Sequence, residues 1–267
     1  MLTDTHAHLY WESYKSELDQ VLQKCRESQV QLIINVGTDI ATSLQAIEMT
    51  KKLKTAGFSS YSTVGIHPHD GEKYNSDVSI HQSIKKLKEL VKTSPNIIAV
   101  GECGLDYHSH VSTPVSPEAK VNQMRLYQAQ VELAQELTLP VIIHCRDAWP
   151  DIFLSQLTGI TGVFHNFTGS LVDAKKAIEL GFYLSFSCIL TYPKNQILRD
   201  LLAEIPLTSI LTETDCPFLP PQHIRGQRND PSFIPEVVKI IAQAKSRSEA
   251  EVANQIWKNT QALFNIS

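Results

Sequence analysis

The chain has 267 residues, of which 42% are hydrophobic and 19% are charged, so it can bury a large core and is not disordered. Its formal net charge of −4 offers no basic surplus, so binding of a nucleic acid would depend on a local basic patch or on metal ions. No apolar run is long enough to cross a membrane and the N-terminus lacks the features of a signal peptide, so we expect a cytoplasmic protein with no membrane partner.

Taken in chain order, the hydrophobic pattern predicts eight strands that alternate with helices. The predicted strands are 2–8, 30–37, 60–66, 96–102, 140–145, 161–165, 182–186 and 209–213. The predicted helices are 12–28, 40–56, 79–93, 117–137, 147–157, 170–180, 194–204, 231–244 and 248–264. This alternation predicts an α/β protein with a parallel sheet, and eight units in this length fit a closed (β/α)8 TIM barrel.

An open, doubly wound sheet is the alternative architecture. It would require a glycine-rich phosphate loop after the first strand, and the sequence has none there. The chain also contains no linker or low-complexity tract. We therefore expect residues 1–267 to form a single barrel domain.

The five cysteines have neither zinc-finger nor CxxC spacing, which predicts free thiols in a reducing compartment. Cys103, Cys145 and Cys216 each directly follow a candidate metal ligand. Neighbouring side chains of a strand point to opposite faces, so these thiols are expected to face the helices and to pack as small apolar groups. A zinc site built from cysteines is the alternative.

A histidine pair lies in the first predicted strand. Side chains two positions apart share a face of a strand, so Asp4, His6 and His8 are expected to point the same way. Two neutral imidazoles form half of a metal site, and with a carboxylate they are costly to bury unpaired. An exposed N-terminal histidine pair is the alternative.

Further polar residues occur where later strands end, and in a parallel barrel the carboxyl ends of the strands form the catalytic mouth. They are His67, His69, Glu102, His144, His165 and Asp215. A carboxylate flanked by imidazoles can bridge two ions, which together activate a water and bind an ester or phosphate oxygen. A polar rim of unrelated structural histidines is the alternative.

Six motifs follow one another along the chain. They are Asp-Thr-His-Ala-His-Leu at 4–9, Val-Gly-Ile-His-Pro-His at 64–69, Gly-Glu-Cys-Gly-Leu-Asp-Tyr at 101–107, Ile-His-Cys-Arg-Asp-Ala at 143–148, Phe-His-Asn-Phe-Thr-Gly at 164–169 and Leu-Thr-Glu-Thr-Asp-Cys-Pro-Phe-Leu at 211–219. The set resembles TatD-family metal-dependent deoxyribonucleases of the amidohydrolase superfamily. The resemblance extends from Asp4 to the Arg-Gly-Gln-Arg-Asn-Asp-Pro segment at 225–231.

The resemblance implies that the chain is a TatD-like metal-dependent hydrolase barrel with two divalent ions. By the family pattern, one ion is held by His6, His8, Glu102 and Asp215, and the other by Glu102, His144 and His165. Glu102 would bridge the ions, and Asp215 would also take the proton from the attacking water. Histidine ligands favour Zn, Mn, Co, Ni or Fe, whereas the family is often described as magnesium-dependent, so Mg, Mn and Zn stay open.

The sequence departs from the family pattern at three places. Asn166 stands where Cys is usual and Thr168 where Ser is usual. Asn166 is expected to point away from the neighbouring ligand and to have little chemical effect. The stretch 108–117 is longer than typical, which leaves the size of the substrate open.

Basic side chains near the predicted mouth are candidate substrate contacts. Arg146 lies two residues after His144 and would either bind a phosphate in bidentate fashion or form a structural ion pair. His67 would donate to a phosphate oxygen or cap the barrel end. Arg225 and Arg228, in the loop after the last strand, would form a basic patch for a nucleic-acid backbone or be solvated loop charges.

Three more residues have predicted supporting roles. Asp106 is expected to orient a metal ligand. Tyr107 and Phe218 are candidates for stacking on a nucleobase, although packing in the interior is favoured for Phe218.

The favoured function is a deoxyribonuclease with Asp215 and Glu102 as catalytic residues, in which a two-metal-activated water cleaves the phosphodiester bonds of DNA. We expect exonucleolytic action on single strands or strand ends, and no obligate protein partner. A small-molecule amidohydrolase or phosphoesterase of the same superfamily is the alternative. The commonest such enzymes bridge their metals with a carbamylated lysine, where this chain has Glu102. A metal-stabilised binding protein is a third possibility, but it would not need Asp215 beside an open metal position.

Overall fold

The protein is a parallel β/α barrel, as a computed structural model describes it for residues 1–108, 114–155 and 157–266. The eight strands lie in chain order in one sheet: β1 (Leu2–Ala7), β2 (Val30–Asn35), β3 (Ser59–Val64), β4 (Ile97–Asp106), β5 (Val141–Arg146), β6 (Gly162–Phe164), β7 (Tyr183–Phe186) and β8 (Ile210–Thr212). The α-helices of the described chain are α1 (Leu18–Glu27), α2 (Ile40–Thr55), α3 (Asp77–Val91), α4 (Pro117–Leu137), α5 (Trp149–Ile152), α6 (Leu171–Glu179), α7 (Gln196–Glu204), α8 (Ile234–Lys245) and α9 (Glu249–Phe264). The predicted fold class, a (β/α)8 TIM barrel, is confirmed.

The first and last strands meet and nearly close the barrel. Ala7 and Cys216 form a parallel bridge, and the His8 amide donates to the carbonyl of Cys216 at 2.9 Å. The Asp215 amide donates to the carbonyl of His6 at 2.9 Å. The closure therefore places the histidines of β1 beside Asp215.

The core has two layers because strand residues alternate in direction. The larger cluster lies between the strands and the surrounding helices and includes Ile33, Ile143 and Phe164. Neighbouring strand residues, such as Ile34, Ile142 and Val163, belong to a smaller cluster inside the barrel. Leu263 and Phe264 at the end of α9 complete that inner cluster. Because the inside of the barrel is filled by apolar side chains, the candidate functional residues are the polar ones at the strand ends.

Some predicted element bounds differ from the structure. The first predicted helix is divided into a short 3₁₀ turn, Glu12–Tyr14, and α1. The predicted helix 147–157 is reduced to α5, after which the Ser155 hydroxyl donates to the carbonyl of Ile152 at 2.6 Å and satisfies it without a further helical turn. By contrast α4 begins at the predicted Pro117, because Ser116 caps it by accepting from the amide of Ala119.

All five cysteines are free, as predicted, and all five are buried. Burial raises the pKa of the Cys103 thiol, which lies 3.7 Å from the carbonyl oxygen of Ile142. Cys103, Cys145 and Cys216 belong to the cluster that packs against the helices. They therefore act as small apolar groups of the core.

Within the described ranges, no helix is both long enough and apolar enough to span a membrane. The predicted long loop 108–117 is described only at its two ends, because residues 109–113 lie outside those ranges.

Candidate metal centre

The end of β1 carries His6 and His8 into the mouth of the barrel. The pairing of β1 with β2 shifts register between Asp4 and Ala7, so the regular alternation of side chains is interrupted there. The expectation that Asp4 shares a face with the two histidines is therefore wrong. Its carboxylate instead accepts from the Thr214 amide at 3.0 Å, and burial, opposed by hydrogen bonds from Thr214, raises its pKa to about 7.

Two glycines allow β4 to bring Glu102 close to β5. A Cβ atom at Gly104, where φ is +142°, would lie 2.0 Å from the carbonyl oxygen of His144. A Cβ atom at Gly101, where φ is +149°, would lie 2.6 Å from the carbonyl oxygen of Ile142. The two strands approach this closely only because both positions lack a side chain. The motif Gly-Glu-Cys-Gly at 101–104 thus sets the position of Glu102.

Glu102 lies at the centre of the cluster and contacts four imidazoles. Its Oε1 is 2.9 Å from Nδ1 of His144, 2.9 Å from Nε2 of His165 and 3.2 Å from Nε2 of His67. Its Oε2 is 3.3 Å from Nε2 of His6. One carboxylate therefore connects side chains from β1, β4, β5 and the ends of β3 and β6.

Asp215 completes the cluster on the side of β1. Its Oδ1 lies 3.4 Å from Nε2 of His8 and 3.7 Å from Nε2 of His6. The backbone at Asp215 has a φ of +57°, in the left-handed region that aspartate adopts more readily than most residues. The turn after β8 therefore directs this carboxylate back toward the two histidines.

Both central carboxylates are held in the ionised form. Burial alone would raise the pKa of Glu102, but its electrostatic interactions with the surrounding histidines, His165 above all, and its hydrogen bond with His144 outweigh burial and hold that pKa well below its usual value. Burial also opposes ionisation of Asp215, yet the hydrogen bond from His8 brings its pKa below the usual value. Each carboxylate is thus negatively charged at neutral pH, as a cation ligand must be.

Acceptors behind the histidines fix the orientation of three rings. Asp106 Oδ2 lies 3.2 Å from Nε2 of His144, in the position predicted for it, and 2.7 Å from Nε2 of His69. The carbonyl oxygen of Val36 lies 2.8 Å from Nδ1 of His8. Such partners bind the outer N–H of an imidazole and direct its other nitrogen inward.

A second supporting carboxylate, Glu213, was missed by the sequence analysis. Its Oε1 lies 3.2 Å from Nδ1 of His165, while no hydrogen-bond partner of its Oε2 is found among the described residues. The available signal was a carboxylate within the apolar end of the eighth strand, since a buried carboxylate needs a partner. Glu213 sets the direction of His165 in the same way as Asp106 does for His144.

The residues present fit a metal ion. Three groups have ligand atoms within 4.8 Å of one another: His6, His165 and Asp215; His6, His8 and Glu102; and His67, Glu102 and His144. Within the described part of the chain, neither ring nitrogen of His6 has a hydrogen-bond partner, although the ring is fully buried. Such an imidazole is costly to bury unless an ion binds it.

The predicted substrate-binding residues are in different surroundings. His67 touches Glu102, so it lies within the cluster. Arg146 ends β5 half-buried, and its guanidinium has no hydrogen bond or ion pair with the described residues. Arg225 is exposed and lies over the ring of Tyr192, 4.9 Å from its centroid.

Arg228 is already engaged in contacts within the fold. Its guanidinium donates to Glu17 and to the carbonyl oxygen of Ser13, and it lies 4.5 Å from the ring centroid of Tyr14. These contacts tie the loop after β8 to the start of α1. The prediction of a backbone contact in DNA rests more firmly on Arg225 than on Arg228.

Tyr107 and Phe218, the two candidates for stacking on a nucleobase, have different surroundings. The Tyr107 hydroxyl donates to Asp151 at 3.0 Å, and Lys120 lies over its ring. The expectation that Phe218 packs in the interior is wrong, because Phe218 is 44% exposed. It contacts Trp11, an exposed residue that the sequence analysis did not single out.

Asn166 has a backbone role. Its φ is +42°, a conformation that asparagine tolerates better than most residues, and its Oδ1 accepts from the Ser187 hydroxyl at 2.8 Å. The side chain thus joins the ends of β6 and β7 and makes no contact with the cluster that the structure records.

A parallel barrel with buried histidines and ionised carboxylates at the carboxyl ends of its strands is the architecture of a metal-dependent hydrolase. Residues 3–265 match the family described as TatD related DNase, and the chain belongs to that family. It is 35% identical to the uncharacterized metal-dependent hydrolase YabD of Bacillus subtilis (strain 168), over 100% of both chains. It is 32% identical to the 3′-5′ ssDNA/RNA exonuclease TatD of Klebsiella pneumoniae (strain 342), over 98% of this chain and 97% of that one.

A solved structure agrees with the fold over the whole chain. The TatD homologue YJJV of Escherichia coli K12 superimposes with a TM-score of 0.87 at 28% identity, covering 100% of this chain and 98% of the other. The chain is thus a metal-dependent hydrolase of the TatD family by both sequence and fold.

Proposed function

We propose that this protein is a deoxyribonuclease that removes nucleotides from the ends of single-stranded DNA and that residues 1–267 form one catalytic domain. The observation that carries the proposal is the central position of Glu102, whose Oε1 faces His144 and His165 and whose Oε2 faces His6. A carboxylate placed in this way is suited to bridge two ions. The name of the Klebsiella relative supports a nucleic-acid substrate and a 3′-to-5′ direction.

The proposed ligands divide into two overlapping sets. One ion would be held by His6, His8, Glu102 and Asp215, and the other by Glu102, His144 and His165. Two divalent ions lower the pKa of a bound water and neutralise charge that develops on a phosphate oxygen. Mg, Mn and Zn are the proposed ions, and the histidine content favours Mn or Zn.

The side chains of the protein supply the remaining functions. Asp215 is ionised, since its pKa lies below the usual value, and would accept the proton of the attacking water. Burial lowers the pKa of His67 to about 4, so this imidazole is neutral, and because its Nδ1 accepts from the His69 amide at 3.1 Å, its one N–H is on Nε2 beside Glu102. With Glu102 engaged by metal, that N–H would donate to a phosphate oxygen. The guanidinium of Arg146, which has no hydrogen bond or ion pair among the described residues, would bind the same phosphate. Arg225 would contact the backbone beyond it.

The test is hydrolysis of end-labelled DNA by protein that has been stripped of metal and reloaded with Mg, Mn or Zn. The substrates are single-stranded DNA labelled at either end, the matching duplex, single-stranded RNA and a panel of small phosphate esters and cyclic amides. We expect metal-dependent release of mononucleotides from one end of the single strand.

Two variants serve as controls. Asp215→Asn should bind metal and lose the activity, whereas Asp147→Asn should retain it, because Asp147 is 63% exposed and pairs only with His108 among the contacts recorded for it. Turnover of an amide or a small phosphate ester without cleavage of DNA under any metal would contradict the proposal and favour the small-molecule alternative.

A further inference from the structure

Two exposed aromatic rings lie beside the metal centre. Trp11 is 43% exposed and Phe218 is 44% exposed, and their ring centroids are 5.1 Å apart with planes at 86°. The ring of Phe218 is 6.4 Å from the ring of His8. The pair therefore borders the cluster at the point where His8 and Asp215 meet.

Short turns hold both rings relative to the proposed ligands. The Trp11 amide donates to the carbonyl oxygen of His8 at 3.1 Å, and the Phe218 amide donates to that of Asp215 at 3.0 Å. Each aromatic residue thus follows a proposed ligand by three positions, and its amide is hydrogen-bonded to the carbonyl oxygen of that ligand. The rings are positioned by the same two strand ends that position His8 and Asp215.

Packing of the fold does not explain why these two rings are exposed. The other large apolar side chains that are exposed in the described chain are aliphatic: Met1, Leu44, Val78, Val121, Leu154, Val172, Leu180 and Ile197. Single aliphatic side chains at a surface are ordinary, but two adjacent aromatic rings beside a catalytic cluster are typical of a binding site. Trp11 and Phe218 meet edge to face, and both remain partly exposed, so together they form an aromatic corner at the mouth.

We propose that Trp11 and Phe218 form a stacking subsite for one unpaired nucleobase, next to the nucleotide whose phosphate is cleaved. This inference rests on the proposed nuclease function. Stacking on an aromatic side chain needs an exposed face of the base, which a single strand offers and a base within a duplex does not. The aromatic corner is therefore the element of the site that selects single strands.

The charge of the protein supports a base contact over a purely electrostatic one. The net charge of −4 gives little general attraction to DNA, and Arg228 is used within the fold. Base stacking is independent of sequence, because every base has a π face. Removal of one aromatic partner from such a site weakens binding by about 10- to 100-fold.

The experiment is an abasic scan. Single-stranded oligonucleotides, each with one abasic nucleotide at a successive position from either end, are bound to the inactive Asp215→Asn protein reloaded with metal. We expect one position near the cleaved end at which loss of the base weakens binding by about 10- to 100-fold. When Trp11→Ala is combined with Asp215→Asn, loss of the base at this position should no longer weaken binding relative to the intact strand. Trp11→Phe in the same background should restore part of that weakening.

Controls separate stacking from folding. Ile197→Ala, on α7, also removes an exposed apolar side chain and should leave the abasic profile unchanged. Metal content and the melting temperature of the Trp11→Ala protein show whether the fold is intact. A flat abasic profile, or an abasic effect that persists without Trp11, would overturn the inference while DNA cleavage by the unaltered enzyme still stands. Failure of the unaltered enzyme to bind and cleave DNA would overturn both the inference and the proposed function.

Discussion

Asp106 is placed to orient the proposed metal ligand His144 without itself binding the metal. Replacement of Asp106 tests this role. Asp106 is buried, and its Oδ2 lies 3.2 Å from Nε2 of His144, whose Nδ1 is 2.9 Å from Glu102. Asp106→Ala leaves the outer N–H of His144 unpaired and frees the ring to rotate. Asp106→Asn keeps an oxygen acceptor but removes its charge.

The expected magnitude follows from this position. Loss of a partner that orients a metal ligand typically weakens metal binding by about 10- to 100-fold, which corresponds to about 1.4–2.7 kcal/mol. A neutral hydrogen bond has about half the strength of a charge-assisted one. We therefore expect about 100-fold weaker binding in Asp106→Ala and about 10-fold weaker binding in Asp106→Asn.

The assay is calorimetric titration of metal-stripped protein with Mn²⁺. The unaltered protein should show two binding events, and both variants should weaken the one that uses His144. Asp147→Asn is the matched control, since it makes the same chemical change at an exposed carboxylate just after β5. Unchanged affinities in Asp106→Ala, or an equal loss in Asp147→Asn, would refute the reasoning.

Four further predictions concern charge. Burial alone would lower the pKa of His165, but Glu102 raises it well above the usual value in the metal-free protein, so metal binding should strengthen as the pH rises toward that raised pKa and should release protons, as calorimetry in two buffers would detect. The same pair should stabilise the metal-free fold fully below about pH 6.5 and lose that contribution as the pH rises through the raised pKa, which melting temperatures across the pH range would check. Arg146→Ala should raise KM for DNA about 10-fold at unchanged metal content, with part restored by Arg146→Lys; a lower melting temperature with unchanged KM would indicate a structural role instead. Arg228→Ala should destabilise the fold by about 1 kcal/mol, through loss of its contacts with Glu17 and the ring of Tyr14, and a raised KM without that loss would contradict this role.

The barrel could be predicted from the sequence because its strands are short apolar runs that end in polar residues. Glu102, His144 and His165 each follow residues buried in the barrel wall, and the structure brings them together. The position of a ligand at a strand end is a local property of the chain. Convergence of the strand ends then follows from the parallel sheet.

Features that depend on contacts between distant segments could not be predicted. The register shift that turns Asp4 away from His6 is a property of the pairing of β1 with β2. The pairing of Arg228 with Glu17 joins residues far apart in the sequence. The apolar character of phenylalanine led to the prediction that Phe218 is buried. The turn after β8 instead leaves its ring exposed beside Trp11.

The measurement that tests the central claim most directly is the electron paramagnetic resonance spectrum of the protein loaded with Mn²⁺, together with its metal content. If Glu102 bridges two ions, the unaltered protein should hold two equivalents with a spin-coupled spectrum, and Glu102→Ala should lose the coupling, at least one ion and the hydrolytic activity. A Glu102→Ala protein that still binds two coupled ions and turns over substrate would contradict the two-metal account.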